Sequence, residues 1–597
     1  MQDEEILGKA YDARLMRRLI RYLRPYRKQV FGAFLLIVFE SALEIAPPIL
    51  TMIAIDRYIA QGDVAGLATI TLIYIVVLVI KFTGESLQSY ILQRTGQKIM
   101  FDMRMQIFRH LQALPPAFYD RNPVGRLITR VVTDVDVLNE LFSSGIVSIF
   151  GDIFTLIGIL IAILILDWRL GLATMLVLPL IATITAIFRA KARDSYRRVR
   201  IAIAKINAFL QEHITGMSVV QLYNREKKSA LKFDAINQEH RLANMDSILA
   251  YAWFYPAIEL LGTIAIALII WYGGGRVIQG AMTLGALVAF IQYSQRFFRP
   301  IADMSEKYNI LQSAMASSER VFGLLDTPVT ITNPPNALRP TEEPAGNIEF
   351  RNVWFAYTDE NWVLRDVSFT VAAGESVAIV GHTGAGKTTI TNLLTRFYDI
   401  QKGEILLDGS SISTLDLAFL RSRFAVVLQD VFLFSGSLES NIRLGGDISR
   451  EGVHAAARDV NLMPFIESLP NGFDHEVNER GTTLSVGQRQ LLAFARALAH
   501  DPQILILDEA TSSVDTETEI QIRLAIDRLM QGRTSVIIAH RLSTIQKCDK
   551  IIVMHKGRVR EMGTHQQLLA LRGIYYKLYQ LQYRDQEIAV PGEPQVS

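Results

Sequence analysis

The sequence predicts an all-α membrane domain with six spanning helices, followed by a soluble α/β domain. Six long apolar windows fill the first half of the chain. Beyond residue 344 the pattern changes to short β-rich runs that alternate with helical segments, as in α/β domains. The whole chain of 597 residues is 50% hydrophobic and 20% charged, whereas a soluble protein carries about 25% charged residues. This composition excludes a disordered chain and argues against a wholly soluble one.

The overall charge and the cysteine content exclude further classes of protein. Lys and Arg total 61 against 59 for Asp and Glu, a net charge of +2, so no global basic field indicates a nucleic-acid partner. The single cysteine, Cys548, excludes an internal disulfide framework and a four-thiolate metal site.

The predicted spans are windows long enough to cross a hydrocarbon layer of about 30 Å, which needs about 20 helical residues. One such window alone is compatible with a buried core helix, but a succession of them indicates a membrane domain, here 29–320. The chain starts with charged residues, and no small-residue cleavage site follows the first window, so we expect no cleaved signal peptide. The windows are 29–50, 67–89, 143–166, 170–190, 250–272 and 283–303.

Basic residues fix the predicted orientation of these spans. They concentrate before the first window, after the second and after the fourth, whereas the other connections hold only Arg57, Arg169 and Arg276. By the positive-inside rule, both termini and the two long connections are cytoplasmic, and the protein is a multi-pass protein of the cytoplasmic membrane. The outer turn Asp167–Arg169 is very short, and the long inner connections are helix-patterned, so we expect the spans to extend into the cytosol.

Three segments flank or join the two domains. Segment 1–28 is basic and predicts either an amphipathic helix on the inner leaflet or a plain solvated helix. Prolines at 328, 334, 335, 340 and 344 predict a linker over 321–344. The α/β domain is predicted over 345–585, and the polar tail 586–597 is expected to be disordered.

A phosphate-binding loop opens the α/β domain. Residues 381–388 fit G-x-x-x-x-G-K-[ST] in full, between a predicted strand Ser376–Val380 and a predicted helix Thr389–Phe397. Backbone N–H groups of such a loop surround phosphate oxygens at a helix N-terminus. We expect Lys387 to reach the β- and γ-phosphates of ATP and Thr388 to supply an oxygen to Mg²⁺. The predicted ATP contacts are Gly381, His382, Thr383, Gly384, Ala385, Gly386, Lys387, Thr388 and Thr389.

Two carboxylates follow a second buried strand, Ile504–Leu507. Asp508 is placed to hold Mg²⁺, directly or through water. Glu509 is placed to orient or deprotonate the attacking water. An Asp-Glu pair at a strand end is otherwise a surface turn, but the upstream phosphate loop favours the catalytic interpretation.

Residues 348–580 closely resemble the ATP-binding cassette of ABC transporters, and with the six windows the chain resembles an exporter half-transporter. The fold is then a helical ABC exporter membrane domain followed by a P-loop NTPase domain. The resemblance implies an adenine-stacking role for Tyr357, although a core tyrosine is the simpler alternative. It also implies a Mg²⁺-touching glutamine, Gln429, and a switch histidine, His540, for the γ-phosphate. Further motif matches are the loop aspartate Asp515, the exporter-type Glu479, and the signature Ser485, Val486, Gly487 and Gln488.

The resemblance also implies a partner chain. In this family the signature of one cassette completes the ATP site of the other, so a six-span chain must pair. Segments Asn122–Arg126 and Gly216–Gln221 look like the two intracellular coupling helices, although either could be an ordinary helical turn. ATP closes the two cassettes, hydrolysis releases them, and the spans alternate between inward-open and outward-open states.

Val486 departs from the family's commonest signature, which has glycine at that position. A β-carbon there could restrict the approach of backbone to phosphate and removes the freedom to adopt positive φ. Because Lys387, Asp508, Glu509 and His540 are intact, the chain resembles the partner in a heterodimeric exporter whose other site is degenerate. A tolerated substitution in a homodimer is the alternative.

The cargo is left open by the sequence. Glu40, Glu44, Asp152 and Glu259 lie within predicted spans, where ionisable residues face a cavity or a partner. Together with nearby aromatic residues they could accept amphipathic cations, but structural pairing between helices is equally compatible. We expect a drug-like or lipid-like amphipathic cargo from the resemblance. The spans contradict a soluble cassette ATPase, whereas an ATP-gated membrane regulator remains an alternative to a pump.

Overall fold

The computed structural model describes residues 12–340, 345–508, 516–539 and 542–582. The chain divides into two compact units. One comprises Met1–His110 with Gly125–Thr327, and the other comprises Leu111–Val124 with Pro328–Ser597. The predicted tail 586–597 lies outside the described residues, and the boundary between the units falls inside the predicted linker 321–344.

The first unit is helical throughout its described part. Short 3-10 or π-helical turns join some of the helices, at Arg24–Tyr26, Ala54–Ile59, Arg130–Asp134 and Leu141–Gly145. The α-helices are α1 Ala13–Leu23, α2 Arg27–Ile53, α3 Val64–Ala113, α5 Val124–Thr129, α6 Val135–Glu140, α7 Ile146–Met175, α8 Leu178–Thr215, α9 Met217–Leu222, α10 Glu226–Ile278 and α11 Leu284–Leu325, with α4 Pro116–Arg121 in the second unit.

Four described stretches are long and apolar enough to cross a membrane: Ala13–Ile59, Val64–Ala113, Ile149–Leu172 and Glu226–Ile278. The other two predicted windows are also mostly helical: 170–190 lies in α7 and α8, and 283–303 lies in α11. Some side chains of these two windows lie outside the described part of the structure. The helix α10 has 53 residues, which at a rise of 1.5 Å per residue gives a length of about 80 Å. That is more than twice the thickness of a hydrocarbon layer, so α10 is longer than one span requires. The extension of the spans into the cytosol stays a prediction.

The turn predicted at Asp167 is present within α7. Asp167 has an extended backbone, with φ of −163° and ψ of 106°, so two helices meet there. Its carboxylate accepts the N–H groups of Arg169 and Leu170 at 3.0 and 3.1 Å, which caps the helix that follows. Arg276 at the end of α10 pairs with the same carboxylate at 2.9 Å. The turn between the third and fourth spans is therefore fixed by one aspartate.

The second unit is built around a six-stranded sheet of order β12-β11-β3-β10-β9-β6. A four-stranded antiparallel sheet, β2-β1-β4-β5, and a two-stranded antiparallel sheet of β7 with β8 accompany it. The strands are β1 Ile348–Ala356, β2 Trp362–Val371, β3 Ser376–Val380, β4 Lys402–Leu407, β5 Ser410–Ser411, β6 Phe424–Val427, β7 Gly436–Ser437, β8 Glu476–Val477, β9 Ile504–Asp508, β10 Thr534–Ile538, β11 Lys550–His555 and β12 Arg558–Gly563.

The central strands of the six-stranded sheet are apolar on both faces. In β3, Val377 and Ile379 enter one hydrophobic cluster while Ala378 and Val380 enter another on the opposite face. Such unbroken apolar runs are typical of parallel strands covered on both sides. The helices are α12 Lys387–Leu394, α13 Leu417–Ser422, α14 Leu438–Arg443, α15 Arg450–Asp459, α16 Met463–Ser468, α17 Val486–Ala499, α18 Thr516–Met530, α19 Leu542–Ile545, α20 His565–Leu571 and α21 Ile574–Gln582.

Candidate functional site

One edge of the six-stranded sheet collects the predicted nucleotide-binding residues. Strands β3, β10, β9 and β6 are neighbours and run parallel, with Ile538 of β10 opposite both Ile379 and Asp508. Their carboxyl ends therefore lie at the same edge, which is where ligands bind in open α/β sheets. Gly381 follows β3, Asp508 ends β9 and Gln429 follows β6, so the sheet brings together three motifs that are distant in sequence.

The phosphate loop adopts a backbone that requires glycine. Gly386 caps the N-terminus of α12 with φ of 99°, a left-handed conformation, and a β-carbon there would lie 2.6 Å from Cδ2 of Leu364. At Gly381 a β-carbon would lie 2.3 Å from the carbonyl oxygen of Met554. Close packing beneath the loop thus excludes side chains at both positions. His382, Thr383, Gly384 and Thr388 are exposed, whereas Ala385, Gly386, Lys387 and Thr389 are buried.

Lys387 lies beneath this loop rather than in solvent. Its Nζ donates to the carbonyl oxygen of Gly381 at 2.6 Å and makes a longer contact with that of His382 at 3.4 Å. Burial lowers the pKa of Lys387, and the negative charge of Asp508 opposes this shift. The electrostatic contact between Lys387 and Asp508 links the phosphate loop to the predicted Mg²⁺ carboxylate across the sheet edge.

The residues at this edge suit Mg²⁺ by the chemistry of their donors. Thr388, Gln429 and Asp508 offer hydroxyl, amide and carboxylate oxygens, which are hard ligands. Among the described residues no group of three His, Cys, Asp or Glu side chains could hold a metal ion. Mg²⁺ is commonly held by one or two protein oxygens together with substrate phosphates and water.

Tyr357 lies at the start of the loop between β1 and β2, with 37% of its surface exposed. Its hydroxyl contacts the hydroxyl of Thr389 at 3.1 Å, and Thr389 is on α12 directly after the phosphate loop. Gln401 holds the preceding residue through two bonds to the backbone of Ala356, at 3.1 and 2.8 Å. Tyr357 is thus a partly exposed ring fixed beside the phosphate loop, which favours the base-stacking interpretation over that of a core tyrosine.

The signature forms the N-terminus of the helix α17. Ser485 is the N-cap: its hydroxyl accepts the N–H of Gln488 at 3.2 Å, while Oε1 of Gln488 accepts the N–H of Ser485 at 2.9 Å. Gly487 is buried behind them. A 14-residue helix therefore presents its positive end at the signature.

Val486 is the first helical residue of α17, and 45% of its surface is exposed. It is not among the described residues with positive φ. Val486 therefore occupies the first helical position without a positive φ, so this conformation does not call on the backbone freedom that glycine would add. Only the steric argument against the isopropyl group remains.

Several predicted residues lie outside the described part of the chain. Glu509, Asp515 and His540 belong to this group. Glu479 is described: it is exposed and opens a short 3-10 turn, Glu479–Gly481, in which Arg480 has φ of 60°.

The two predicted coupling segments differ in outcome. The second is helical as α9, Met217–Leu222. The first is helical only in part: Asn122 and Pro123 lie between α4, Pro116–Arg121, and α5, whereas Val124–Arg126 lie in α5. Pro123 disfavours helical angles at Asn122, whereas Pro116 is preorganised for the first turn of a helix.

Two of the acidic residues in the spans, Glu44 and Asp152, are paired. Arg296 donates to the carboxylate of Glu44 at 2.8 Å, and Lys81 pairs with the same side chain. Asp152 pairs with Lys307. For Glu44 and Asp152, the structure therefore favours the alternative of structural pairing between helices. Oε1 of Glu40, by contrast, is buried without a hydrogen-bond partner in the described part of the structure.

Sequence reasoning missed three residues beside Tyr357. Arg121 of α4 donates to the carbonyl oxygen of Tyr357 at 2.9 Å. Tyr398 donates to Asp120 of α4, and its ring packs edge-on against that of Tyr357 with 5.1 Å between centroids. No motif in the sequence marks these residues, because their proximity arises only when 111–124 joins the second unit.

Comparisons with known proteins agree with this architecture. Residues 30–301 match the family described as "ABC transporter transmembrane region", and residues 364–512 match "ABC transporter". A solved structure, "Structure of a bacterial Atm1-family ABC exporter with ATP bound", aligns with a TM-score of 0.75 at 28% identity, covering 95% of this chain and 99% of that one.

Curated relatives extend over most of the chain. The "Uncharacterized ABC transporter ATP-binding protein YknV" of Bacillus subtilis is 40% identical over 97% of this chain and 96% of its own length. The "Probable multidrug resistance ABC transporter ATP-binding/permease protein YheH" of the same organism is 38% identical over 87% of this chain and 78% of its own. The "ATP-dependent lipid A-core flippase" of Syntrophus aciditrophicus is 36% identical over 96% and 95%.

Proposed function

The chain belongs to the ABC transporters of the exporter type, and from this premise we propose that it drives the export of a drug-like or lipid-like amphipathic molecule across the cytoplasmic membrane. Its membrane helices and ATPase domain are those of an ATP-hydrolysing exporter. The observation that carries the proposal is the sheet edge that sets Lys387, Asp508 and Gln429 beside an exposed phosphate loop. Relatives named as a multidrug transporter and a lipid flippase support this class of cargo.

The roles we assign at the nucleotide site follow the chemistry of each side chain. Loop N–H groups and Lys387 bind the phosphates of ATP, and Tyr357 stacks on the adenine. Thr388, Gln429 and Asp508 hold Mg²⁺, which neutralises charge on the phosphates when bound. Glu509 deprotonates or orients the attacking water, and His540 contacts the γ-phosphate. We assign Asp515 and Glu479 to the loops that connect this site with the partner chain and with the spans.

Half-transporters of this family act as dimers, and we propose that the signature of this chain serves the ATP site of its partner. The helix N-terminus at Ser485 suits a phosphate group, because free N–H groups and the helix dipole both favour an anion. ATP held between two cassettes then favours the closed pair, and hydrolysis of ATP removes that bias. The spans alternate between inward-open and outward-open states in step, with both termini and the ATPase domain in the cytoplasm.

We favour a heterodimer over a homodimer because of Val486. Its half-exposed isopropyl group stands at the helix end where the partner's phosphates would approach, and a glycine would leave that end open. An unaltered signature from a different chain would then complete the intact site around Glu509. In the purified heterodimer, Val486→Gly should raise ATP turnover severalfold by repairing the weaker site. Robust ATPase activity and transport by this chain alone would refute the heterodimer.

The experiment that tests the main proposal is ATP-driven uptake of a small panel of amphipathic dyes into inside-out vesicles. We expect uptake with the wild-type protein, and its loss with Glu509→Gln, which should leave ATP binding intact. Glu517→Gln, an exposed acid on α18, is the matched control and should transport normally. Hydrolysis that survives Glu509→Gln would refute the assigned role of Glu509. ATP turnover without uptake of any dye or labelled lipid would favour the ATP-gated regulator instead.

A further inference from the structure

The helix α4 and the aromatic residues of the nucleotide site are joined by contacts that the transport cycle described above does not use. The helix α4 belongs to the connection between α3 and α5, yet residues 111–124 cluster with the second unit. Two consecutive residues lie at its C-terminal end. Arg121 contacts Tyr357 of the nucleotide site, and Asp120 contacts Tyr398, whose ring packs against Tyr357.

The first contact acts on the backbone of Tyr357. A guanidinium nitrogen of Arg121 donates to the carbonyl oxygen of Tyr357 at 2.9 Å. Hydrogen bonds from a charged donor are stronger than neutral ones. Because Gln401 fixes the backbone of Ala356 at the preceding position, the two interactions together determine where the Tyr357 ring leaves the strand β1.

The second contact acts on the ring of Tyr357. Tyr398 lies edge-on to Tyr357, with 5.1 Å between ring centroids and 90° between planes, and both rings pack on the buried Phe355. The hydroxyl of Tyr398 donates to the carboxylate of Asp120. Burial first, and then this hydrogen bond, raise the pKa of Tyr398 above its ordinary value, so the hydroxyl stays protonated and remains a donor at neutral pH.

We propose that Asp120, Arg121 and Tyr398 are positioning residues for Tyr357, so that the connection between α3 and α5 forms part of the adenine-binding site. This inference rests on the proposed function in one respect, the stacking of adenine on Tyr357. Adenine binds best when these contacts hold the Tyr357 ring in place, so bound adenine favours the position of α4 in which Asp120 and Arg121 make them. By linkage, α4 in that position raises the affinity for adenine by the same factor. Base binding is thereby linked to a helix that is continuous in sequence with the spans.

If Asp120, Arg121 and Tyr398 position Tyr357, their loss should weaken binding of the adenine base and leave binding of the phosphates unchanged. In the full-length protein with its partner chain, bound TNP-ATP is displaced either by ATP or by inorganic triphosphate, which has no base. Tyr398→Phe keeps the ring and removes only the hydroxyl. We expect ATP to displace TNP-ATP about 3- to 10-fold less well, the effect of one lost hydrogen bond, and triphosphate to displace it as in the wild type.

Variants of Asp120 and Tyr119 refine the test. Asp120→Ala should reproduce the effect of Tyr398→Phe, and the double variant should be no weaker than either single variant. Asp120→Asn keeps an oxygen acceptor and should restore most of the affinity. Tyr119→Phe is the matched control, since the Tyr119 hydroxyl donates to the carbonyl oxygen of Leu111 in the same segment. In steady-state assays, KM for ATP should rise while kcat at saturating ATP stays unchanged.

Three results would overturn the inference. Equal weakening of ATP and triphosphate would indicate general damage to the site, and wild-type affinity in Asp120→Ala would show that α4 does not position the ring. The third concerns Tyr357→Ala. If that variant binds ATP normally, the proposed base contact fails and the inference falls with it. If Tyr357→Ala weakens ATP binding but Tyr398→Phe and Asp120→Ala do not, the inference fails and the proposed function stands.

Discussion

Arg296 supplies a hydrogen-bond donor that the helix α2 cannot supply for itself. Its Nη1 donates to the backbone carbonyl of Glu44 at 3.0 Å and to the Glu44 carboxylate at 2.8 Å. Pro47 and Pro48 lie inside α2, and Pro48 has no N–H to offer the carbonyl of Glu44 four residues earlier. We therefore predict that Arg296→Met destabilises the first unit, because the carbonyl and the carboxylate of Glu44 both lose this donor.

The size of the effect follows from these two contacts. Losing a charged hydrogen bond costs about 1.5–3 kcal/mol, and leaving a carbonyl unpaired away from water costs about 1–3 kcal/mol. The side chains of Arg296 and Glu44 are 30% and 23% exposed, and Lys81 still pairs with Glu44 after the change. We therefore take the lower part of each range and expect a loss of about 3 kcal/mol in the free energy of unfolding.

The assay is thermal unfolding of the purified protein in detergent at one fixed scan rate, because unfolding of a large membrane protein is usually irreversible. At about 2–4 °C per kcal/mol, the apparent midpoint should fall by about 6–12 °C. Arg57→Met, which changes an exposed arginine in the π-helical turn Ala54–Ile59, is the control and should leave the midpoint within about 1 °C, since surface substitutions change little.

A second background isolates the carbonyl contact. Pro48→Ala restores an N–H that can pair with the carbonyl of Glu44, so this carbonyl gains a donor besides Arg296. In that background Arg296→Met should lower the midpoint by about 2–6 °C less than in the wild type. An equal fall in both backgrounds would refute the reasoning that Arg296 compensates for the proline.

Three further predictions concern the ATPase domain. Lys387→Met should weaken ATP binding about 10- to 100-fold, measured by TNP-ATP displacement, because charged hydrogen bonds to phosphate are lost; unchanged affinity would exclude Lys387 from the site. Ser485→Ala removes the N-cap of α17 and should cost about 1 kcal/mol, seen as a lower midpoint that Ser485→Thr largely restores. The hydroxyl and the N–H of Ser376 donate to the carboxylate of Asp549 at 2.7 and 2.9 Å, and these bonds lower the pKa of Asp549. The ionised carboxylate therefore stabilises the fold fully above the ordinary carboxyl pKa of about 3.9. This stabilisation is lost as the pH falls through the lower pKa of the folded state. Asp549→Asn should therefore lower the midpoint at pH 7 and lower it less as the pH falls below about 3.9, and a difference that stays the same as the pH falls would contradict this.

Much of the architecture was predictable because its signals are local. The strand Ser376–Val380 and the strand ending at Asp508 are confirmed where the apolar runs predicted them, since both faces of a central parallel strand are buried. The turn at Asp167 was predictable because it separates two apolar windows. The segment Asn122–Arg126 is interrupted at Asn122 and Pro123, which lie between α4 and α5, because Pro123 disfavours helical angles at Asn122.

The roles of polar residues in the spans could not be assigned from spacing alone. Glu40 and Glu44 share one helix face, so the sequence treats them alike. Their neighbours lie on other helices: Glu44 pairs with Arg296 and Lys81, whereas Oε1 of Glu40 faces Gly84, where a β-carbon would lie 3.2 Å away. Contacts between residues more than 30 positions apart carry no periodic signal, so only the packed helices distinguish the two.

The sequence by itself determined the class of this protein: apolar windows of spanning length, a complete phosphate loop and the signature order specify an exporter with an attached ATPase. Each of these features depends only on the residue types and their spacing within one short segment, so the sequence of that segment is enough to predict it. Only the tertiary structure decided which residues meet, because strand order and helix packing set those distances. It brought Lys387 within electrostatic reach of Asp508, joined Tyr357 to α4, and paired Glu44 with a distant arginine. Each of these interactions joins segments far apart in the chain.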